Sequence, residues 1–123
     1  MNNLISNLAK YSKYIFAVVF LIFGLFHFIS GEAMAEMVPV PGGIIWVYIA
    51  GIGLIAAAVA IFINKYMRLA MFLLGVMLLL FVILLHIPGA ADGNEASVPM
   101  ILKDLGLMAA AWMLAGNSED NKF

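Results

Sequence analysis

The apolar positions of this chain gather into four long runs, about residues 14–30, 44–63, 69–86 and 98–115, and the polar residues fall in the gaps between them. A membrane-spanning helix needs roughly 20 apolar residues, with about 17–25 tolerated. The second and third runs meet that requirement outright. The first meets it once Tyr11, Ser12, Lys13 and Ser30 serve as interfacial flanks, and the fourth only by holding Lys103 and Asp104 inside it. Short gaps favour antiparallel neighbours. The predicted fold is therefore all-α: a polytopic membrane protein, an up-and-down bundle of four transmembrane helices in one domain (1–116), followed by a short polar tail (117–123).

Composition agrees. Apolar residues make up 66% of the chain and charged residues 11%, against about 25% charged in soluble domains. With a mean hydropathy of +1.11, the expected solvent is the lipid bilayer, and no nucleic-acid partner is expected. The net charge of −1 says little, but its distribution orients the chain. Lys10 and Lys13 precede the first run, and Lys65 and Arg68 separate the second from the third. Glu32 and Glu36 lie in the first gap and Asp92 and Glu95 in the third. Lys and Arg concentrate in cytoplasmic loops. Both termini are thus expected on the cytoplasmic side of a plasma or inner membrane, as a multi-pass protein. A competing reading takes the first run as a signal peptide, with Ala33-Met34-Ala35 as its cleavage site. The apolar stretch is longer than the usual ~7–15 residues, so the span is preferred.

Smaller signals fill in the ends. Leu4, Ile5, Leu8 and Tyr11 follow helical spacing, which suggests an interfacial lead-in bending into the first span. Pro39-Val40-Pro41-Gly42-Gly43 breaks the chain before the second span, and Pro88-Gly89 is expected to end the third. Residues 90–99 then read as a polar external loop. Trp46, Tyr48, Phe26 and Phe28 suit an outer aromatic belt, and Tyr11, Tyr14, Tyr66 and Trp112 an inner one. Gly53-x-x-x-Ala57, Ala56-x-x-x-Ala60 and Gly106-x-x-x-Ala110 are candidate close-packing pairs.

The chain has no cysteine, which removes disulfide exchange, thiolate nucleophiles and iron–sulfur ligation from its own chemistry. No phosphate-binding glycine loop, nucleophile elbow or zinc-protease motif occurs either. What remains is a set of polar residues. Alternating the four spans brings His27, Glu32, Glu36, Trp46, Tyr48, His86, Lys103 and Asp104 to one face of the membrane. Lys103 and Asp104 are the strongest element, since insertion costs roughly 2.5–3.5 kcal/mol for each such residue at mid-span. Adjacent helical positions point about 100° apart, so each needs its own partner or water. The structural alternative has Lys103 snorkelling to the headgroups and Asp104 capping a helix start. His27 and His86 suit hydrogen-bonding or proton-handling roles. As two lone histidines they carry a bis-histidine haem only weakly, and no metal site is expected.

Several of these segments together, namely Phe23-Gly24-Leu25-Phe26-His27-Phe28, the loop 32–41, the basic turn ending in Arg68, Leu85-His86-Ile87-Pro88-Gly89 and Met100-Ile101-Leu102-Lys103-Asp104-Leu105, resemble the DoxX family across roughly residues 14–116. The resemblance implies a small four-helix membrane protein. Some members are associated with respiratory or thiosulfate/quinone redox systems, others with oxidative-stress complexes. It also implies that Lys103 and Asp104 correspond to the family's polar pair in the fourth span, and His86 to the histidine closing the third. One departure is Gly51-Ile52-Gly53-Leu54, where many such relatives place a glutamate.

Two functions follow. In one, the protein is a redox-linked membrane subunit with an outer-face pocket for a quinone or similar amphiphile. His27, His86, Lys103 and Asp104 serve its headgroup there, with Trp46 and Phe28 as a ring-stacking wall and Glu32 nearby. A partner from a redox complex then supplies the electrons. In the other, the protein assembles or stabilises other membrane proteins, or copies of itself, and the polar cluster fixes helix register. A transporter is less supported, since no inverted repeat is visible.

Overall fold

A computed structural model describes residues 2–36, 38 and 41–118. Helix α1 spans Asn2–Ile29, and a bend at Ser30 leads into the short α2, Gly31–Ala35. Helix α3 spans Gly43–Ile63, and α4 spans Met67–Phe81. A π-helical turn, Val82–His86, carries α4 into α5, Ile87–Ala91, and α6 spans Ser97–Gly116. Among the described residues there is no strand. Four helical units, Asn2–Ile29, Gly43–Ile63, Met67–Ala91 and Ser97–Gly116, are long and apolar enough to cross a membrane. The protein is an all-α, four-helix membrane protein.

The bundle consists of two tight pairs. Helix α1 packs along α3, α4 packs along α6, and α3 joins α4 less intimately. The α1–α3 contact is close because Gly24 and Gly51 meet at the crossing. A Cβ on Gly24 would lie 2.6 Å from the Ile55 side chain and 3.0 Å from the Gly51 carbonyl, and one on Gly51 would lie 2.8 Å from His27 Cβ. In lipid such close backbone approach drives association through packing rather than water exclusion. Of the pairs expected from spacing, Gly53 meets only Met77, and Gly106 faces open space. The contact-making glycines are therefore different ones. A single core runs between the two pairs, with Ala17 and Phe20 from α1, Leu54, Ala58 and Ile61 from α3, Met71, Leu74 and Leu78 from α4, and Ala111 and Ala115 from α6.

The ends of the bundle are pinned by polar contacts. Lys13 Nζ donates to Asn64 Oδ1 at 2.6 Å, and Asn64 Nδ2 donates to the Tyr14 hydroxyl at 3.4 Å. The basic start of α1 and the α3–α4 turn thus share one end. That turn is tight enough to hold Asn64 (φ 55°) and Tyr66 (φ 58°) in left-handed conformations. Asparagine tolerates this region, whereas tyrosine adopts it at a cost.

Three local expectations change. Residues 2–13 do not bend into the span; they form one helix with it. Pro88 does not end the third span, which continues to Ala91. A proline ring clashes with the carbonyl four residues back, here Leu84, and the wider π turn just before it relieves that conflict. The Ile87 N–H accordingly bonds the Val82 carbonyl, five residues back. The loop between the third and fourth spans shortens to 92–96, with Pro99 inside the first turn of α6, a position where its missing N–H has no helical partner to lose. Pro39 and Val40 of the predicted break, and residues 119–123 of the predicted tail, lie outside the described residues.

Candidate functional site

His86 closes the π turn, and Asp104 lies two turns into α6. His86 Nε2 stands 2.9 Å from Asp104 Oδ2, joining α4 to α6. The Asp104 side chain is 6% exposed and that of His86 13%. With the carboxylate ionised, Nε2 carries the hydrogen and donates, and Nδ1 is left with no hydrogen-bond partner among the described residues. An ionisable group buried in a spanning helix is costly and needs a partner. Asp104 has two, because Lys103 Nζ lies 3.6 Å from Oδ1. That second contact contributes little, since the Lys103 side chain is 51% exposed and exposed ion pairs are worth about 0–1 kcal/mol.

Lys103 reaches the other way as well. Its ammonium sits 5.5 Å from the centroid of the Phe23 ring on α1, within range of a cation–π attraction. Phe23 heads a strip on α1 in which Phe16 and Phe20 lie 4.7 Å apart, and Phe20 and Phe23 6.2 Å apart, by ring centroid. The spacing i, i+4, i+7 places all three on one side of the helix. The backbones of α1 and α6 scarcely approach each other. The seam between them is bridged instead by this contact of Lys103 with the topmost ring of the strip.

Depth separates the remaining candidates from this group. At 1.5 Å per residue, Phe23, Lys103 and Asp104 lie roughly 9–11 Å inside their helix ends, and His86 about 8 Å inside. Glu32 and Trp46 lie at the rim, and Tyr48, about 8 Å inside α3, reaches it with its ring, which lies against Gly31. There Phe28 stacks on Tyr48, with centroids 5.3 Å apart and planes 12° from parallel. The same rings, with Ser30, Gly31 and Glu32, border a cavity of about 380 Å³ at the bend after α1. Trp46 donates its indole N–H to the Pro41 carbonyl at 3.1 Å, which holds it at the entry to α3. His27 Nδ1 is engaged with the Phe23 carbonyl at 2.7 Å, and its Cβ packs at Gly51. Phe28 lies about 140° round α1 from Phe23, on the side that meets α3.

The predicted constellation thus resolves into a deep set and a rim set. His86, Lys103 and Asp104 come together, and the ring they engage is Phe23. Phe28 belongs to the cavity that holds Glu32, and Trp46 is bound to its own loop. Among the described residues no three His, Asp or Glu side chains cluster as a metal site. Phe23 has no expected role in the sequence analysis, although its i, i+4, i+7 spacing with Phe20 and Phe16 is a signal that the linear order carries. The π turn has a signal too, the proline two residues after His86.

The chain matches no protein-family model, no curated protein and no solved structure.

Proposed function

We propose that this chain is a DoxX-like, redox-linked subunit of a plasma or inner membrane, with both termini cytoplasmic, whose deep polar set holds the headgroup of a quinone-like amphiphile. The observation that carries the reading is the buried carboxylate of Asp104, bonded to His86 between α4 and α6, with the half-exposed Lys103 beside it reaching the seam of α1 and α6. Buried ionisable groups in spanning helices commonly mark ligand or proton pathways, and π turns recur at functional sites. The Lys103 ammonium is a donor suited to a ring carbonyl, and so is the Nδ1–H that His86 carries once it takes up a proton, its Nε2–H being engaged by Asp104. Asp104 orients the imidazole and balances its charge when it takes up a proton. The exposed ring of Phe23 gives an apolar ring system a face to lie against, and the loosely closed seam gives it a lateral route from the bilayer. A partner protein supplies the electrons, since the cysteine-free chain brings no thiol to carry them.

The test is titration of a short-tailed quinone into the detergent-solubilised protein, followed by quenching of tryptophan fluorescence. Lys103→Met is expected to weaken binding at least tenfold while leaving the melting temperature within a few degrees, and so is His86→Gln, because its amide can still donate to Asp104 but presents no imidazole to the headgroup. The second reading, a non-enzymatic assembly protein, draws on the same His86 to Asp104 bond as an α4–α6 tie. It gains if the wild type binds no quinone and His86→Gln instead lowers the melting temperature.

A further inference from the structure

On the opposite half of the bundle, α3 and α4 leave between them, from their shared turn to the contact of Gly53 with Met77, a groove of about 540 Å³ open to the surrounding lipid. Small residues Gly53, Ala56 and Ala60 form its α3 wall, and Leu69, Leu73 and Met77 its α4 wall. The surface is almost wholly apolar. Lys65 and Tyr66 stand at one end, in the turn, and Arg68 follows in the first turn of α4. This is the end where Lys13 meets Asn64. From Gly53 to Ile63 the groove runs about 15 Å along α3, half of the ~30 Å hydrocarbon thickness. Its length is therefore that of one leaflet, and its charged end is that leaflet's headgroup level.

We infer that this groove holds one acyl chain of an anionic phospholipid, with the phosphate against Lys65. Three features select that occupant over a helix from another protein. The groove stops at mid-membrane, whereas a packed transmembrane helix needs a face along the whole span. Its cation stands at the interface end, where a phosphate lies. Lys65 is exposed and has no ion pair among the described residues. Basic pockets between spanning helices on the cytoplasmic side are a recurrent form of anionic-lipid site. The inference is independent of the quinone reading, since it concerns the α3–α4 face at the opposite end of the bundle.

Native mass spectrometry of the full chain, titrated with phosphatidylglycerol or with phosphatidylcholine of the same acyl chains, tests it. The wild type is expected to bind phosphatidylglycerol about tenfold more tightly. Lys65→Gln should reduce that preference about fivefold, the pull of one basic side chain near an anionic surface. Ala56→Leu, which fills the groove, should weaken both lipids severalfold and keep the preference. Because Lys65 is exposed, its replacement leaves the fold intact even if Ala56→Leu does not. Equal binding of the two lipids by the wild type overturns the inference. So does a stable dimer that Ala56→Leu dissociates, which would make a second copy the occupant.

Discussion

Trp112 of α6 lies in the notch that Gly75 leaves in α4, and its indole N–H donates to the Phe72 carbonyl at 3.1 Å. A side chain carrying a Cβ at position 75 would collide with the indole at Nε1. The residue expected to anchor an inner aromatic belt is thus a packing wedge between the two helices that also carry His86 and Asp104.

Gly75→Ala is therefore expected to force the indole out and to destabilise the bundle by about 1–3 kcal/mol, the usual range for overpacking. Thermal unfolding in mild detergent measures this. Adding Trp112→Leu should restore part of the loss, because a smaller side chain leaves room for the new methyl. A Gly75→Ala protein that melts with the wild type would show the wedge to be mobile.

The bond between His86 and Asp104 should couple more strongly than an average interhelical hydrogen bond in a membrane protein, about 0.6 kcal/mol. The reason is that one partner is a nearly buried carboxylate, and hydrogen bonds to charged groups contribute about 1.5–3 kcal/mol. A double-mutant cycle with His86→Ala and Asp104→Ala, read by unfolding in detergent, gives the coupling directly. A value near zero would mean that water or Lys103 replaces the histidine at no cost.

Pro88→Ala removes the ring that the π turn accommodates and restores an N–H able to bond Leu84. The segment before it is then expected to tighten toward ordinary α geometry, turning His86 away from Asp104. Since the chain has no cysteine of its own, a protein bearing His86→Cys and Asp104→Cys reports this cleanly by oxidative crosslinking. Crosslinking should fall severalfold when Pro88→Ala is added, and an unchanged yield would show that the π turn has another cause.

Orientation can be read the same way. Glu95→Cys in the short loop is expected to react with a membrane-impermeant thiol reagent in intact cells, and Lys65→Cys only after permeabilisation. The opposite pattern would invert the topology and place the deep polar set toward the cytoplasm.

Much of this architecture was legible in the amino-acid order. Four apolar runs with polar punctuation define four spanning helices, and alternating direction alone brings His86 to the level of Lys103 and Asp104. What linear order left open was rotation about each helix axis. Phe28 and Phe23 are five residues apart, yet one meets α3 and the other faces the seam with α6. Which side is which depends on α1 pairing with α3 through Gly24 and Gly51, a contact set by three-dimensional fit. Spacing drew attention to Gly106 instead, which meets nothing. Pro88 read as a stop signal because in a uniform α-helix it would have been one. Only a change of hydrogen-bond register before it lets the third span continue.

The unbroken form of α1 has a consequence for the membrane around it. Its 28 residues make a rod about 42 Å long, close to the ~40–45 Å of a bilayer with its headgroup layers. Counting back from Ile29, roughly 20 residues cross the hydrocarbon and bring Lys10 to its edge. The turns carrying Leu4, Ile5 and Leu8 extend beyond, through the headgroups, in line with the span instead of flat along the surface. The rod holds little apolar reserve, because a thicker bilayer meets Lys10 before it reaches Leu8 or Ile5, and a lysine costs up to roughly 2.5–3.5 kcal/mol in the hydrocarbon. Lys10, together with Lys13 bonded to Asn64 at the α3–α4 turn, therefore fixes how much of the rod the hydrocarbon covers.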